Sequence, residues 1–157
     1  MNSAILIFGL VFVLDRISKN LIVKLLPYGY GVNIIGEYVR IVHIRNPNSL
    51  WGMSLGKNFP YIIVSIIAIV FLSALIRDAL KSKERSYANI FSLIVSGVAG
   101  NLMDRIHFKE VVDFIDIGIS ADVRWPVFNV ADSAISIGLV IYFIMVIRES
   151  FAKRSEK

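Results

Sequence analysis

Four stretches of the chain are apolar over about the 20 residues that a helix needs to cross a hydrocarbon core of about 30 Å. Residues 1–14 are uncharged and run into a mixed segment ending near Leu26. Residues 58–76 and 86–103 carry no charge, and residues 125–147 carry only Asp132. The pattern predicts spans at roughly 3–26, 58–77, 86–105 and 128–148, within a single membrane domain covering residues 1–157. Between the spans, "EYVRIVHIR" (37–45) and "VVDFIDIGI" (111–119) are rich in β-branched and aromatic residues and read as short strands. The expected fold class is therefore a membrane all-α bundle of four transmembrane helices with a small extracytoplasmic β-sheet element. In the third span, Ser92, Ser96 and Gly100 recur every four residues with Gly97 beside them, a spacing that lets helix backbones approach closely.

Composition agrees with the pattern. The chain has 157 residues, 56% hydrophobic and 18% charged, against about 45–50% and about 25% for a soluble domain. The net charge of +5 does not point to nucleic acid, because the basic residues sit where membrane topology puts them. Arg77, Lys81, Lys83 and Arg85 lie between spans two and three, and Arg148, Lys153, Arg154 and Lys157 follow span four. Both clusters fall on one side of a four-span chain, which places both termini and the 77–85 loop in the cytoplasm and the loops 27–57 and 105–127 outside. The first segment lacks the basic n-region and small-residue cleavage pattern of a signal peptide, so it reads as a retained span. No cysteine is present, which excludes thiolate metal sites, disulfides and a cysteine nucleophile.

The polar residues inside or beside these spans are the candidates for chemistry. Asp15 and Lys19 sit at i and i+4, the favoured order for an ion pair. They form either a self-neutralising pair, with Arg16 and Lys24 snorkelling outward, or part of a polar site. Asn101 and Arg105 share a helix face with Asp104 between them. Arg105 suits a helix C-terminus, but an amide in an apolar helix needs internal partners. Asp113 and Asp116 point to opposite faces of a strand, one toward the bundle and one toward water. Asp132 fits position N3 of a helix capped by Asn129, where a carboxylate reaches back to the cap. It also sits level with Asp113 at the outward ends of neighbouring elements. Two carboxylates brought together share one proton, and such a pair can activate water and protonate a leaving group, which is peptide hydrolysis without metal or covalent nucleophile.

Other chemistries are poorly supplied. His43 and His107 form no zinc motif, no Gly-rich phosphate loop occurs, and Ser133 and Ser136 lack an evident base. Ser18 and Lys19 are adjacent, the wrong geometry for a dyad on a helix. Two alternatives remain: a proton- or ion-coupled transporter using the buried carboxylates, and a lipid phosphotransferase holding magnesium on Asp104, Asp113 and Asp116.

With "DRISK", "RNPNSLWG", "GNLMDR", "VVDF" and "FNVADSA" in this order, the chain resembles the bacterial lipoprotein signal peptidases (signal peptidase II) from about Asp15 to Ser133. The resemblance implies an intramembrane aspartic peptidase of the bacterial inner membrane, with catalytic Asp113 and Asp132. It implies supporting roles for Asp15, Lys19, Asn46, Asn101, Arg105 and Asn129, with Asp104 and Ala131 also inside matched motifs. It further implies a diacylglyceryl-modified prolipoprotein substrate cut before the lipidated cysteine, inhibition by globomycin-type peptides, and no metal or other cofactor. Membrane lipid and substrate are the expected partners, nucleic acid is not, and a monomer is expected. The chain departs from the family pattern in "NPNSLW", where Asn48, Ser49 and Leu50 replace small residues near Trp51. It departs again at Arg16, usually glutamine, and at Ser96, usually glycine. The first departure bears on the fit of the outward loop to lipid or signal peptide.

Overall fold

In a computed structural model describing residues 3–47 and 59–155, the four apolar stretches become four helices. They are α1 (Ser3–Leu25), α2 (Phe59–Lys81), α3 (Arg85–Phe108) and α4 (Val130–Ser155). Among the described residues, three helical segments are long and apolar enough to cross a membrane: Pro60–Lys81, Arg85–Phe108 and Val130–Ala152. The first helix is as long as α2, at 23 residues, but Asp15, Arg16 and Lys19 set its composition apart from the other three. Asp15 and Lys19 do not meet the surroundings, being fully buried against α3, and Arg16 is only partly exposed.

Helix α3 is the hub, packed against α1, α2 and α4. Its small residues have the role that their spacing suggests. A side chain at Gly97 would run into the Ala131 carbonyl oxygen, and a methyl on Gly100 would lie 2.6 Å from Asp15 Oδ2. Ser96 is buried with its hydroxyl satisfied by the Leu93 carbonyl at 2.7 Å. Deeper along α3, Ile90, Phe91 and Ile94 form an apolar core with Leu72 and Leu75 of α2 and Ile135 of α4. The outer faces are equally apolar yet exposed, with Leu10 and Ile17 on α1, Phe71 on α2 and Phe143 on α4. That is the distribution of a protein whose solvent is lipid.

A three-stranded antiparallel sheet, ordered β1-β2-β3, is built from β1 (Gly31–Ile35), β2 (Val39–Asn46) and β3 (Val111–Ile117). The two expected strands form within two residues of their predicted limits. The third, "GVNII", is exposed throughout and too short to show alternation, so no sequence signal marks it. A bulge in β2 sets Val42 and His43 between the Ile41–Ile115 and Ile44–Asp113 pairs, so two successive side chains are buried there. His43 Nδ1 donates to the Leu26 carbonyl at 2.8 Å and ties the sheet to the end of α1. After β3 the chain returns along that strand's free edge, through bridges from Ile115 to Phe128 and Gly118 to Arg124, and so delivers Asn129 to the start of α4.

One strand expectation is corrected. Asp113 and Asp116 were to divide between bundle and water, but both are buried. The return segment brings Arg124 Nε to 2.6 Å from Asp116, and β2 adds Arg40 Nε at 3.5 Å. Arg124 also donates to the Glu37 carbonyl at 2.8 Å, so the far face of β3 is covered by its own ion pair.

Candidate active site

The start of α4 organises the site. Asn129 Oδ1 accepts the Asp132 backbone N–H at 2.9 Å, and Asp132 Oδ2 accepts the Asn129 N–H at 3.3 Å. This reciprocal capping box satisfies donors that a helix N-terminus leaves open. Capping occupies one carboxylate oxygen; the other, Oδ1, accepts from Asn101 Nδ2 at 2.8 Å. The Asn129 amide nitrogen then reaches Asp113 Oδ1 at 2.7 Å, while Asn46 Nδ2 holds Asp113 Oδ2 at 2.9 Å. Asn129 therefore connects the two aspartates, which are 3% and 8% exposed for Asp113 and Asp132.

Beneath this pair lies a buried ionic cluster. Lys19 Nζ has three N–H bonds to give, and three acceptors surround it: Asn101 Oδ1 at 2.8 Å, Asp104 Oδ2 at 2.9 Å and Asp15 Oδ2 at 3.0 Å. Because ammonium can only donate, Asn101 must turn its oxygen toward Lys19 and its nitrogen toward Asp132. Asp104 Oδ2 also accepts the Val112 N–H at 3.2 Å, next to Asp113 in the chain. Asp15 Oδ1 accepts the N–H of Ala131, itself wholly buried, at 3.1 Å in the first turn of α4. Asp15 and Lys19 do pair with each other, and both also bond groups on neighbouring helices, so the pair is part of a larger buried network. Arg16 does not snorkel as the self-neutralising alternative had it, since its guanidinium turns inward to Asp15 and Asp104, both at 2.6 Å. Lys24 is exposed. Arg105 is buried beside the pair with its guanidinium carbon 5.6 Å from the Tyr61 ring centroid, and its charge acts on Asp132, Asp113 and Asp104.

Asp113, on β3 and outside the long helices, has its carboxyl pushed up to about 7. Burial is the largest cause and the Asp132 charge the next, opposed by the hydrogen bonds from Asn46 and Asn129 and by the Lys19 charge.

The competing residue sets are not assembled. Asp104 is held by Arg16 and Lys19, and Asp116 by Arg124, so the three carboxylates of a magnesium site are not brought together. Ser18 donates to the Asp15 carbonyl at 3.0 Å and Ser133 to the Asn129 carbonyl at 2.9 Å, leaving both hydroxyls engaged by backbone. The "NSLW" residues Asn48 to Trp51 lie outside the described residues. One contributor was not singled out in the sequence, the Val112 backbone N–H on Asp104; Ala131, which lies in a matched motif, contributes through its backbone N–H on Asp15.

The model of the family Signal peptidase (SPase) II matches residues 7–148. The lipoprotein signal peptidases of Staphylococcus aureus strains JH9 and Newman are each 33% identical over 157 residues, spanning 99% of this chain and 94% of theirs. Two solved structures described as bacterial membrane enzymes, obtained by the in meso method at 2.3 Å and 1.9 Å resolution, superpose with TM-scores of 0.83 and 0.79. They share 31% and 32% identity, and cover 96% and 93% of this chain and 90% and 93% of theirs. Aligned along nearly its whole length in sequence and in fold, the chain belongs to the signal peptidase II family.

Proposed function

We propose that this membrane peptidase removes the signal peptide of lipid-modified prolipoproteins by cutting before the diacylglyceryl-cysteine, with water activated between Asp113 and Asp132. The observation that carries the reading is the Asn129 link between two buried carboxylates that differ in their surroundings. Asp132 accepts from Asn101 and from a helix N-terminus, which favour its anion. Asp113 holds the shared proton in the resting state. Asp132 takes a proton from water as the oxygen bonds to the scissile carbonyl carbon, and Asp113 gives its proton to the carbonyl oxygen. In the tetrahedral diol, Asp113 recovers a proton from a hydroxyl while Asp132 protonates the amide nitrogen. The C–N bond breaks to acid and amine, and the pair regains its single proton.

Incubation with a lipidated prolipoprotein tests this reading by mass, since the product should be lighter by the signal peptide. The pH profile adds a sign. As pH rises through about 7, Asp113 loses the proton it must donate, so kcat/KM should fall on the alkaline side. A rate that rises steadily from pH 7 to about 9 would contradict the assignment of Asp113 as acid.

The chain spans the membrane four times in this reading, with α1 as a span whose charges are neutralised internally and whose Leu10, Leu14, Ile17 and Leu21 face lipid. Both termini and the basic 77–85 loop are cytoplasmic, and the sheet and the aspartate pair lie at the outer surface of the bacterial inner membrane. Cysteines placed at Ser82 and Ser120 should react with impermeant reagents from opposite sides; labelling of both from one side would break the four-span topology. One chain carries the whole residue set, so a monomer suffices. No cofactor enters the scheme, and globomycin-type peptides occupy the substrate's place.

A further inference from the structure

The Arg16 guanidinium makes some of the shortest side-chain contacts in the molecule. Nη1 donates to Asp104 Oδ1 at 2.6 Å, and Nη2 donates to Asp15 Oδ2 at 2.6 Å and to the Gly100 carbonyl at 3.0 Å. Asp15 and Asp104 also flank Lys19, so one ammonium faces two buried carboxylates. Without a second cation that cluster would carry a net negative charge in the low-dielectric interior, directly beneath the aspartate pair. We infer that Arg16 is a positioning residue of the catalytic centre: by bridging Asp104 and Asp15 it neutralises the second carboxylate at Lys19 and holds Asp15 against the first turn of α4.

The inference rests on the aspartate-pair reading and deepens it. The charged groups around the pair are Asp15, Arg16 and Lys19 from α1 and Asp104 and Arg105 from α3, while β2 supplies the neutral Asn46 and α2 the Tyr61 ring against Arg105. These surroundings have one more cation than anions, which matches the single negative charge of a pair sharing one proton. Removing Arg16 leaves the surroundings neutral and the pair's charge uncompensated, so the pair holds its proton to higher pH. Geometry follows charge. Asp15 Oδ2 is pinned by Arg16 and Lys19, which turns Oδ1 to the Ala131 N–H in the helix turn that carries Asp132.

The test compares full pH profiles of purified Arg16→Met, Arg16→Gln and Arg16→Lys in lipid, using a lipidated prolipoprotein peptide as substrate. Arg16→Met and Arg16→Gln should lose about tenfold in kcat with KM within about twofold, and their alkaline limb should move up by about half a pH unit. Arg16→Lys should return the limb to the parent position but not the full kcat, because a single ammonium cannot bridge both carboxylates. If Arg16→Met does not fold, Arg16→Gln against Arg16→Lys carries the same comparison. Coincident limbs in parent, Gln and Lys variants would overturn the inference. Asp113→Asn in the same assay separates the two levels. Its survival would sink the aspartate-pair reading, whereas its loss beside unshifted Arg16 variants would sink the Arg16 inference alone.

Discussion

Replacing Lys19 with methionine should destabilise the folded protein by about 3–5 kcal/mol, the range for removing one partner of a buried ion pair. Methionine nearly matches lysine in length, so packing is conserved and the loss is electrostatic. The substitution strips three hydrogen bonds at once, from Asp15, Asp104 and Asn101. Arg16 still bridges the carboxylates, but two buried anions then share one cation. Asn101 also loses the donor that fixes its orientation toward Asp132, so cleavage should fall with stability. Lys24 on the same helix is exposed, and an exposed lysine contributes about 0–1 kcal/mol. Thermal unfolding of Lys19→Met against Lys24→Met in the same detergent checks this. Melting of the two variants within a degree or so of each other would show that the Lys19 cluster carries little of the stability.

Much of this was legible in the sequence because a bilayer makes strict demands. The apolar stretches located all four helices, but α4 runs on to Ser155 where the expected span ends at 148, because its polar last turns carry no apolar signal; Gly97 and Gly100 marked close approaches. Asp132 was readable as a cap, and one of its oxygens does cap α4 while the other accepts from Asn101. Other features depended on tertiary contacts that no local pattern records. Strand β1 has no alternation and forms by pairing to β2. One of Asp113 and Asp116 was expected at water, yet Asp116 is buried too, because its partner Arg124 reaches it from eight positions away across a turn. Arg16 looked like an interfacial cation because its partner Asp104 is 88 positions away, on a different helix.

The second large effect concerns the aspartate pair itself. Asparagine at either position keeps the size of the side chain but cannot cycle a proton. Asp113→Asn and Asp132→Asn should each lower turnover by about four orders of magnitude or more, and the double variant should be no worse, because groups acting as a unit are not additive. Asparagine at 132 retains one oxygen for the Asn129 N–H, so the α4 cap survives and the protein should stay folded. Its amide nitrogen must then face either Asn101 Nδ2 or the cap, a mismatch that costs about 1–3 kcal/mol.

That separation of capping from chemistry makes Asp132→Asn the most direct measurement. The purified variant is melted, tested for binding of a substrate-like peptide inhibitor, and incubated with lipidated prolipoprotein. The account predicts a folded, inhibitor-binding protein that releases no signal peptide. Cleavage by that folded variant at about a tenth of the parent rate or more would contradict it, since at least four orders of magnitude are expected from loss of the pair, and would leave Asp132 as a helix cap and nothing else.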